Sequence, residues 1–356
     1  VGDADKPMTE YEVYSYEAFR KKYRDDIRAV EDASFKSLDT VKVDEYLALK
    51  RRERPNLAVL PNDQQYELTG ITRDGKITMT ALLLFGLYPQ ADYPQLSIIA
   101  TSIPGKGMGA LDAAGNRFLD SKRIEGTLPD MLDGAIAFVR TNMRTATKID
   151  PQTGKRTDMP QYPVISVREA VLNALVHRDY SFHTEGMPIQ LVMYSNRMEI
   201  INPGGLYGRL TVDQLGQAQP DTRNPALVTA METLGKTENR YSGIPTIRYA
   251  MKERSLPTPL FIDTRGTFKV ILYNNTEEIT VSQTVDKQEA DLPDEKGLLE
   301  FCRTPRSRSE IVDYLAIASK QYALRRYLDP LVRAGAIRMT KPDAPRSKDQ
   351  QYMTVG

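Results

Sequence analysis

The chain has 356 residues, of which 40% are hydrophobic and 27% charged, and its formal net charge is +1. A single hydrophobic core usually stops growing at about 250 to 300 residues, so this length predicts two or three domains. The balanced charge argues against a protein that coats a polyanion or a membrane surface as a whole. No apolar run approaches the roughly 20 residues that a membrane span requires.

The single cysteine and the first residue give limited information about the fold and the location of the protein. The single cysteine, Cys302, excludes an internal disulfide and a cysteine metal site, and in LLEFCR it is expected to be a small buried apolar residue. Because this usage fits a reducing compartment and no signal peptide is recognised, we expect a cytoplasmic protein with no membrane partner. The first residue, Val1, is expected to mark a fragment boundary.

Residues 1–62 form a charged, tyrosine-rich lead-in. Within it, VDEYLALKRRERPN spaces its apolar residues as a helix does and ends at Pro55, which predicts a short helix. The basic run KRRER is interpreted as a solvated helix face rather than as a nucleic-acid site.

Residues 63–273 alternate predicted helices and strands. Helices are predicted in ITMTALLLFGLYP, LPDMLDGAIAFVRTNM, NPALVTAMETL and from Gly243 to Arg254, and strands in QLSIIATSI, MPIQLVMY, RMEIIN, PLFID and TFKVILY. The turn-rich segment KIDPQTGKRTDMPQYP is predicted to be a loop. Because hairpins recur among the strands, we expect an α/β sandwich with a mixed sheet rather than a doubly wound parallel sheet.

The end of the chain divides into a linker and a small domain. Residues 274–294 are rich in acidic and small polar residues, which predicts a flexible linker. In residues 295–356 we predict three helices, in GLLEFCR, SRSEIVDYLA and SKQYALRRYLDPLVRAG, followed by strands in AIRMT and QQYMTV. Three helices and a hairpin are the layout of a winged helix-turn-helix.

One phosphate-binding motif is excluded. AMETLGKT, residues 230–237, resembles G-x-x-x-x-G-K-[ST], but Ala230 replaces the first glycine and the preceding segment is predicted to be helical. A phosphate cradle needs a glycine-rich turn directly after a strand, so neither a P-loop nor a helicase motor of the usual kind is expected.

The stretch REAVLNALVHRDYS, residues 168–181, places ionisable residues in an apolar helix. Glu169 and Asn173 are four residues apart and therefore share a face. Such a pair can hold hydrated magnesium, and the carboxylate can activate a water molecule. On spacing alone, an exposed or capping pair is the alternative.

The order of the following motifs favours a nucleotide site. After the helix come two strands, the glycine turn INPGGL, the segment Arg223-Asn224-Pro225 and the segment YSGI, where Gly243 opens another helix. This order offers metal ligands, close backbone approach and amide groups that face phosphate.

These motifs, with ITMTALLLFG upstream, resemble the bacterial RecG-related regulators over roughly residues 64–273. The core domain of that family is similar to the ATPases of the gyrase, chaperone and histidine-kinase (GHKL) superfamily, and a winged helix commonly follows it. Its members usually begin with an AlbA-like domain related to Schlafen proteins, which we do not find in this sequence.

The resemblance implies roles for particular residues. Asn173 would coordinate magnesium together with Glu169, the candidate general base, while Gly204 and Gly205 would lie near adenine and Gly243 near the phosphates of ATP. Asn202 stands where the superfamily has an aspartate, and its carbonyl oxygen can still accept from the adenine amino group. Arg178, Arg223 and Asn224 complete the predicted cofactor-binding set.

The HRD string at the end of the helix has a separate interpretation. A kinase catalytic loop is excluded because the string follows a helix and no D-F-G is present. We predict that His177 and Arg178 complement the helix dipole and that Asp179 pairs with one of them, with a phosphate-facing role for Arg178 as the alternative. His183 is expected in a loop, and no zinc site is expected.

The C-terminal domain carries clustered positive charge. The cations predicted to contact DNA are Lys320, Arg325, Arg326, Arg333, Arg338 and Lys348. The alternative is a winged helix used for protein contact, including a homodimer. We therefore expect a DNA-binding transcriptional regulator with an ATPase-like domain. An ATP-hydrolysing enzyme that acts on DNA or a protein partner is the second hypothesis.

Overall fold

The computed structural model describes residues 8–149, 152–154, 156–217, 221–236, 242–264, 266–274, 295–315, 324, 328–341 and 350–355. The chain forms two compact units, residues 1–276 and residues 277–356. Within the described ranges, none of the helices combines the length and the apolar character needed to cross a membrane.

A six-stranded mixed sheet is the centre of the first unit. Its strands are β3 (Ile98–Ser102), β4 (Asp120–Ile124), β7 (Ile189–Met193), β8 (Arg197–Pro203), β9 (Leu260–Thr264) and β10 (Thr267–Tyr273). Their order is β4-β3-β7-β8-β10-β9, in which β3 and β7 are parallel and the other neighbours antiparallel. The expected α/β fold with a mixed sheet is therefore confirmed.

Helices share one hydrophobic core with this sheet. They are α4 (Met79–Phe85), α5 (Leu128–Asn142), α6 (Val164–His177), α7 (Pro225–Thr233) and α8 (Gly243–Glu253). Helix α6 packs against α5, α8 and β8, and eight of its residues are buried. Because α6 lies in the core, any polar side chain that it carries needs a partner or an open cavity.

The predicted lead-in belongs to the same core. Its helices are α1 (Glu10–Lys21) and α2 (Thr40–Glu53), and they are followed by α3 (Asn62–Leu68) and a short hairpin of β1 (Thr72–Arg73) and β2 (Lys76–Ile77). Val43, Tyr46 and Leu47 of α2 join the hydrophobic cluster that contains α4 to α6. Residues 8–62 therefore fold together with the sheet rather than beside it.

The segment from residue 148 to residue 163 corrects a prediction. It was expected to be a loop, but strand β6 (Arg156–Pro160) pairs antiparallel with β5 (Thr145–Ile149). The turn residues Thr153 and Gly154 therefore mark only the connection between two strands. The segment that precedes the sequence resembling a P-loop was predicted to be helical. This is confirmed, because Ala230, the first residue of that sequence, lies within α7.

The second unit has its own small core. Its elements are α9 (Glu295–Phe301), β11 (Arg306–Ser307), α10 (Arg308–Leu315), α11 (Asp329–Arg333), β12 (Ile337–Met339) and β13 (Gln351–Thr354). The strands form an antiparallel sheet in the order β11-β13-β12. Cys302 is buried in the core, as expected. Residues 275–294 of the predicted linker and residues 319–323 and 325–327 of the predicted recognition helix lie outside the described residues, so the winged helix stays a prediction.

Candidate functional site

A cavity of about 210 Å³ opens beside α6 in the first unit. Its walls are mostly apolar and include Leu172, Ile200, Leu215, Val228, Ile247 and Phe268. Typical small-molecule sites measure about 300 to 1,000 Å³, so the enclosed part suits a group the size of a nucleobase. Polar residues from α6, from the end of β8 and from the start of α8 complete the lining.

Glu169 and Asn173 meet at the N-terminus of α8. A Cβ atom added to Gly243 would lie 3.2 Å from Oε2 of Glu169 and 3.0 Å from Nδ2 of Asn173, so both side chains contact this glycine. All three residues are half-buried and line the cavity. The backbone amides of the first turn of α8 have no partners within the helix and attract anions. A carboxylate, a carboxamide and a helix N-terminus therefore converge at one point.

The turn after β8 brings backbone into the cavity wall. Gly204 has φ +95°, a conformation that favours glycine, and a Cβ atom there would lie 2.6 Å from Cβ of Asp179. At Gly205 an added Cβ would lie 2.7 Å from Oδ1 of Asp263. Asn202 is buried and lines the cavity, and its Oδ1 has no hydrogen-bond partner among the described residues. An unpaired buried acceptor is costly, so this amide is suited to a polar ligand.

Arg223 supports the glycine turn from the side. Its guanidinium is ion-paired with Asp179 in a buried position and donates from Nη2 to the carbonyl of Gly205 at 3.3 Å. The Tyr11 hydroxyl also donates to Oδ2 of Asp179, at 2.8 Å.

Burial, neighbouring charges and hydrogen bonds set the pKa values of Asp179 and Tyr11. Burial raises the pKa of Asp179, but the Arg223 charge and the hydrogen bonds from Ser181 and Tyr11 outweigh it and leave the pKa lowered. Burial and the nearby Asp179 carboxylate raise the pKa of Tyr11 to about 12, so its hydroxyl stays a donor at neutral pH.

Arg178 and Asn224, two residues of the predicted cofactor set, are not brought into the cavity. Arg178 is 1% exposed, and its guanidinium donates to the backbone carbonyls of Thr184 and Met187. Asn224 is fully buried, and its Nδ2 donates to the carbonyls of Val176, at 2.9 Å, and Arg178, at 2.7 Å. Neither side chain lines the cavity, and each is held by backbone carbonyls instead.

One part of the predicted end of α6 is wrong. Asp179 pairs with Arg223 rather than with His177 or Arg178, and Asn224 donates to the carbonyl of Val176 in the last turn of the helix. The His177 side chain lines the cavity and is exposed there, and the surrounding protein and then the charge of Arg223 lower its pKa. A neutral ring offers one donor and one acceptor.

Several site residues were not predicted at all. Tyr207 and Asp221 line the cavity, and Tyr11 reaches the site from α1. Tyr11 is 168 residues away from Asp179, and no local spacing in the sequence indicates that the two meet. The only sequence signal is the concentration of tyrosine in residues 11–23, which hints at a packed rather than a solvated segment.

The predicted DNA-contacting cations are placed only in part. Arg333 ends α11 and Arg338 lies in β12, and both are exposed. Lys320, Arg325, Arg326 and Lys348 lie outside the described residues.

Metal binding at the cavity would rest on few ligands. In the part of the chain that the structure describes, no three His, Cys, Asp or Glu side chains are grouped so that they could hold a metal ion. Magnesium often takes one or two protein ligands and completes its shell with water and phosphate oxygens. Glu169 and Asn173 fit that mode of binding.

Comparisons with known proteins agree with an ATPase-like first unit. The family model described as "Putative ATP-dependent DNA helicase recG C-terminal" matches residues 186–272. That match spans β7 to β10 and the glycine turn. Residues 186–272 therefore form an ATPase-like domain of this RecG-related type.

Two further comparisons concern the second unit and the whole chain. The model described as "Filamentation induced by cAMP protein Fic-like, C-terminal domain" matches residues 295–354. One similar solved structure is that of the DIP2311 protein from Corynebacterium diphtheriae, with 20% sequence identity, a TM-score of 0.53, and coverage of 100% of this chain and 69% of that chain. At this identity the likeness shows the fold alone. No curated protein matches the chain.

Proposed function

We propose that the first unit binds ATP with magnesium in the cavity and that the chain is a DNA-binding transcriptional regulator. The observation that carries nucleotide binding is the convergence of Glu169 and Asn173 on Gly243, at the N-terminus of α8. The mostly apolar wall suits a base, and the unpartnered Oδ1 of Asn202 suits its amino group.

Different residues would contact different parts of the ligand. Glu169 and Asn173 would hold magnesium, and the first amides of α8 would face phosphate. Bound magnesium would neutralise phosphate charge. Arg223 holds the carbonyl of Gly205 and thereby the shape of the turn that the base would contact.

A thermal shift assay with magnesium-ATP tests this proposal. A ligand at 100 times its Kd stabilises a protein by about 2.7 kcal/mol, which corresponds to a rise in Tm of roughly 5 to 10 °C for a unit of this size. We expect that shift in the wild type and in Asn62→Ala, whose residue is exposed at the start of α3. The shift should be lost in Asn173→Ala. Absence of a shift in the wild type, or an equal shift in Asn173→Ala, would contradict the proposal.

Hydrolysis is a second candidate function that the same geometry favours. Oε2 of Glu169 and the Asn173 amide approach the same point on Gly243, so a carboxylate able to activate water lies beside the proposed metal ligand. Magnesium-dependent ATP turnover that Glu169→Gln lowers by a much larger factor than it lowers magnesium-ATP affinity would support it. No turnover with added DNA would refute it.

DNA binding is assigned to the second unit in this proposal. Exposed Arg333 and Arg338 flank the turn between α11 and β12 and are available for phosphate. Each phosphate contact that is removed should lower the slope of log affinity against log salt by about 1. We expect this for Arg333→Ala and Arg338→Ala but not for Arg140→Ala, an exposed arginine in the last turn of α5. Identical salt slopes for Arg333→Ala, Arg338→Ala and Arg140→Ala would contradict DNA binding at this surface.

A further inference from the structure

Helix α1 packs along the outer side of the loop that forms one wall of the cavity. We call residues 203–208 the glycine loop. The Tyr207 hydroxyl donates to the carbonyl of Ala18 at 3.3 Å, and the Tyr207 and Phe19 rings meet edge to face at 5.5 Å between centroids. At Gly208 a Cβ atom would lie 3.0 Å from the Phe19 ring. The C-terminal half of α1 thus fits closely against the end of the loop.

The N-terminal half of α1 reaches the start of the same loop. The Tyr11 ring packs 3.4 Å from the position of a Cβ on Gly266, whose carbonyl accepts from the amide of Gly204 at 2.8 Å. Tyr11 and Ala18 are seven residues apart and therefore lie on one face of the helix. That face contacts the end of the glycine loop directly and is linked to its start through Gly266.

Tyr11 is also connected to the cavity through charged groups. Its hydroxyl donates to Asp179 and lies 3.5 Å from Nη1 of Arg223, the side chain that holds the carbonyl of Gly205. Gly205 lines the cavity. A continuous set of contacts therefore runs from α1 through Asp179 and Arg223 to the cavity wall.

Helix α1 is weakly held compared with the helices of the core. It has 12 residues, among which only Ala18 is buried, and its Val13 and Tyr16 are exposed. Isolated helices of about 12 residues are marginal in water, so α1 depends on this docking. Elements with few buried contacts open at low cost, and such elements couple distant sites.

We propose that docking of α1 and binding of nucleotide in the cavity are coupled, so that α1 regulates the affinity of the site. The docked helix holds the glycine loop in the shape that receives the ligand, and its release loosens the loop. Coupling is reciprocal, so the bound ligand also favours the docked helix. This inference rests on the proposed function for the identity of the ligand, but the linkage between α1 and the loop does not.

Hydrogen–deuterium exchange on the full chain without nucleotide tests that linkage. Tyr11→Phe removes the hydroxyl and keeps the ring, and Tyr16→Phe is the matched control, because Tyr16 is exposed on the same helix. We expect the amides of residues 204–208 to exchange at least about threefold faster in Tyr11→Phe, since a bond to a charged group is lost, and at the wild-type rate in Tyr16→Phe. Equal exchange in the two variants would overturn the inference.

Magnesium-ATP as a probe tests the coupling itself. We expect Tyr11→Phe to weaken its Kd by about 3- to 10-fold and the nucleotide to slow amide exchange in α1 of the wild type. An equal Kd in Tyr11→Phe and Tyr16→Phe would overturn the coupling. If the loop responds to Tyr11→Phe while the wild type binds no nucleotide, the proposed function fails and the linkage stands. Tyr207→Phe, which removes the bond to Ala18, gives a second variant with the same expected direction.

Discussion

Replacing Arg223 by methionine would leave the carboxylate of Asp179 buried without its counter-charge. The side chain of Asp179 has no exposed surface, and that of Arg223 is 7% exposed. Removing one partner of a buried pair typically costs about 3 to 5 kcal/mol, because the remaining charge is uncompensated. The hydrogen bonds from Tyr11 and from the amide of Ser181 remain, so we expect the lower end of that range for Arg223→Met.

The dependence of stability on pH should change sign in this variant. In the wild type the pKa of Asp179 is lowered, so its contribution to stability is present above the unfolded value of about 4 and is lost as the pH falls below it. Burial is the largest cause that raises this pKa, and in Arg223→Met the guanidinium no longer offsets it. The pKa should then exceed the unfolded value, and stability should fall as the pH rises from the unfolded value of about 4 through the raised pKa.

Urea unfolding of the full chain at a series of pH values measures both effects. The matched control is Arg223→Met combined with Asp179→Asn, in which no carboxyl group remains to titrate and the sign change should disappear. If the stability of Arg223→Met runs parallel to that of the wild type across this pH range, Asp179 does not depend on Arg223 as argued.

Two further substitutions separate ligand binding from stability. In Gly243→Ala the new methyl group lies 3.0 to 3.3 Å from Glu169 and Asn173. A thermal shift assay should therefore show that stabilisation by magnesium-ATP is lost while the Tm of the free protein changes little. Gly186→Ala is the control, because nothing lies within 4 Å of the added atom, and it should keep both values. Asn224→Ala leaves two buried carbonyls at the end of α6 without their donor and should cost about 1 to 3 kcal/mol in urea unfolding. A larger loss of stability in Gly243→Ala than in Asn224→Ala would reverse this assignment.

Helical spacing predicted the polar face of the cavity. Glu169 and Asn173 are one turn apart on α6, and this geometry holds wherever the helix packs. A glycine that precedes an apolar, helix-forming segment similarly predicted the start of α8 at Gly243. Local periodicity was sufficient for these positions because the residues involved lie within one turn of each other or at a helix end.

Contacts between residues that are far apart in the sequence could not be predicted from local periodicity. Asp179 is next to two cations in the sequence, yet its partner is Arg223, because the chain after α6 turns away and the end of β8 lies beneath it. Sequence neighbours at a helix end point in different directions, so charge proximity along the chain does not identify the pair. The β5–β6 hairpin was missed for a related reason, since strand pairing depends on register with a partner and not on the turn residues between the strands.

Polar residues around the cavity fall into two groups that differ in what they can still bind. Glu169 and Asn173 are half-buried beside a helix N-terminus and face a mostly apolar space. Arg178, Asp179 and Asn224 are buried, and their side chains bond to backbone carbonyls, a backbone amide or a counter-charge. A buried polar group that loses its partner costs about 1 to 3 kcal/mol, and none of the second group lines the cavity, so we expect these residues to support the cavity wall from behind. Conservative changes in the first group should therefore alter ligand binding at nearly constant stability. Changes in the second group should alter stability at nearly constant ligand binding.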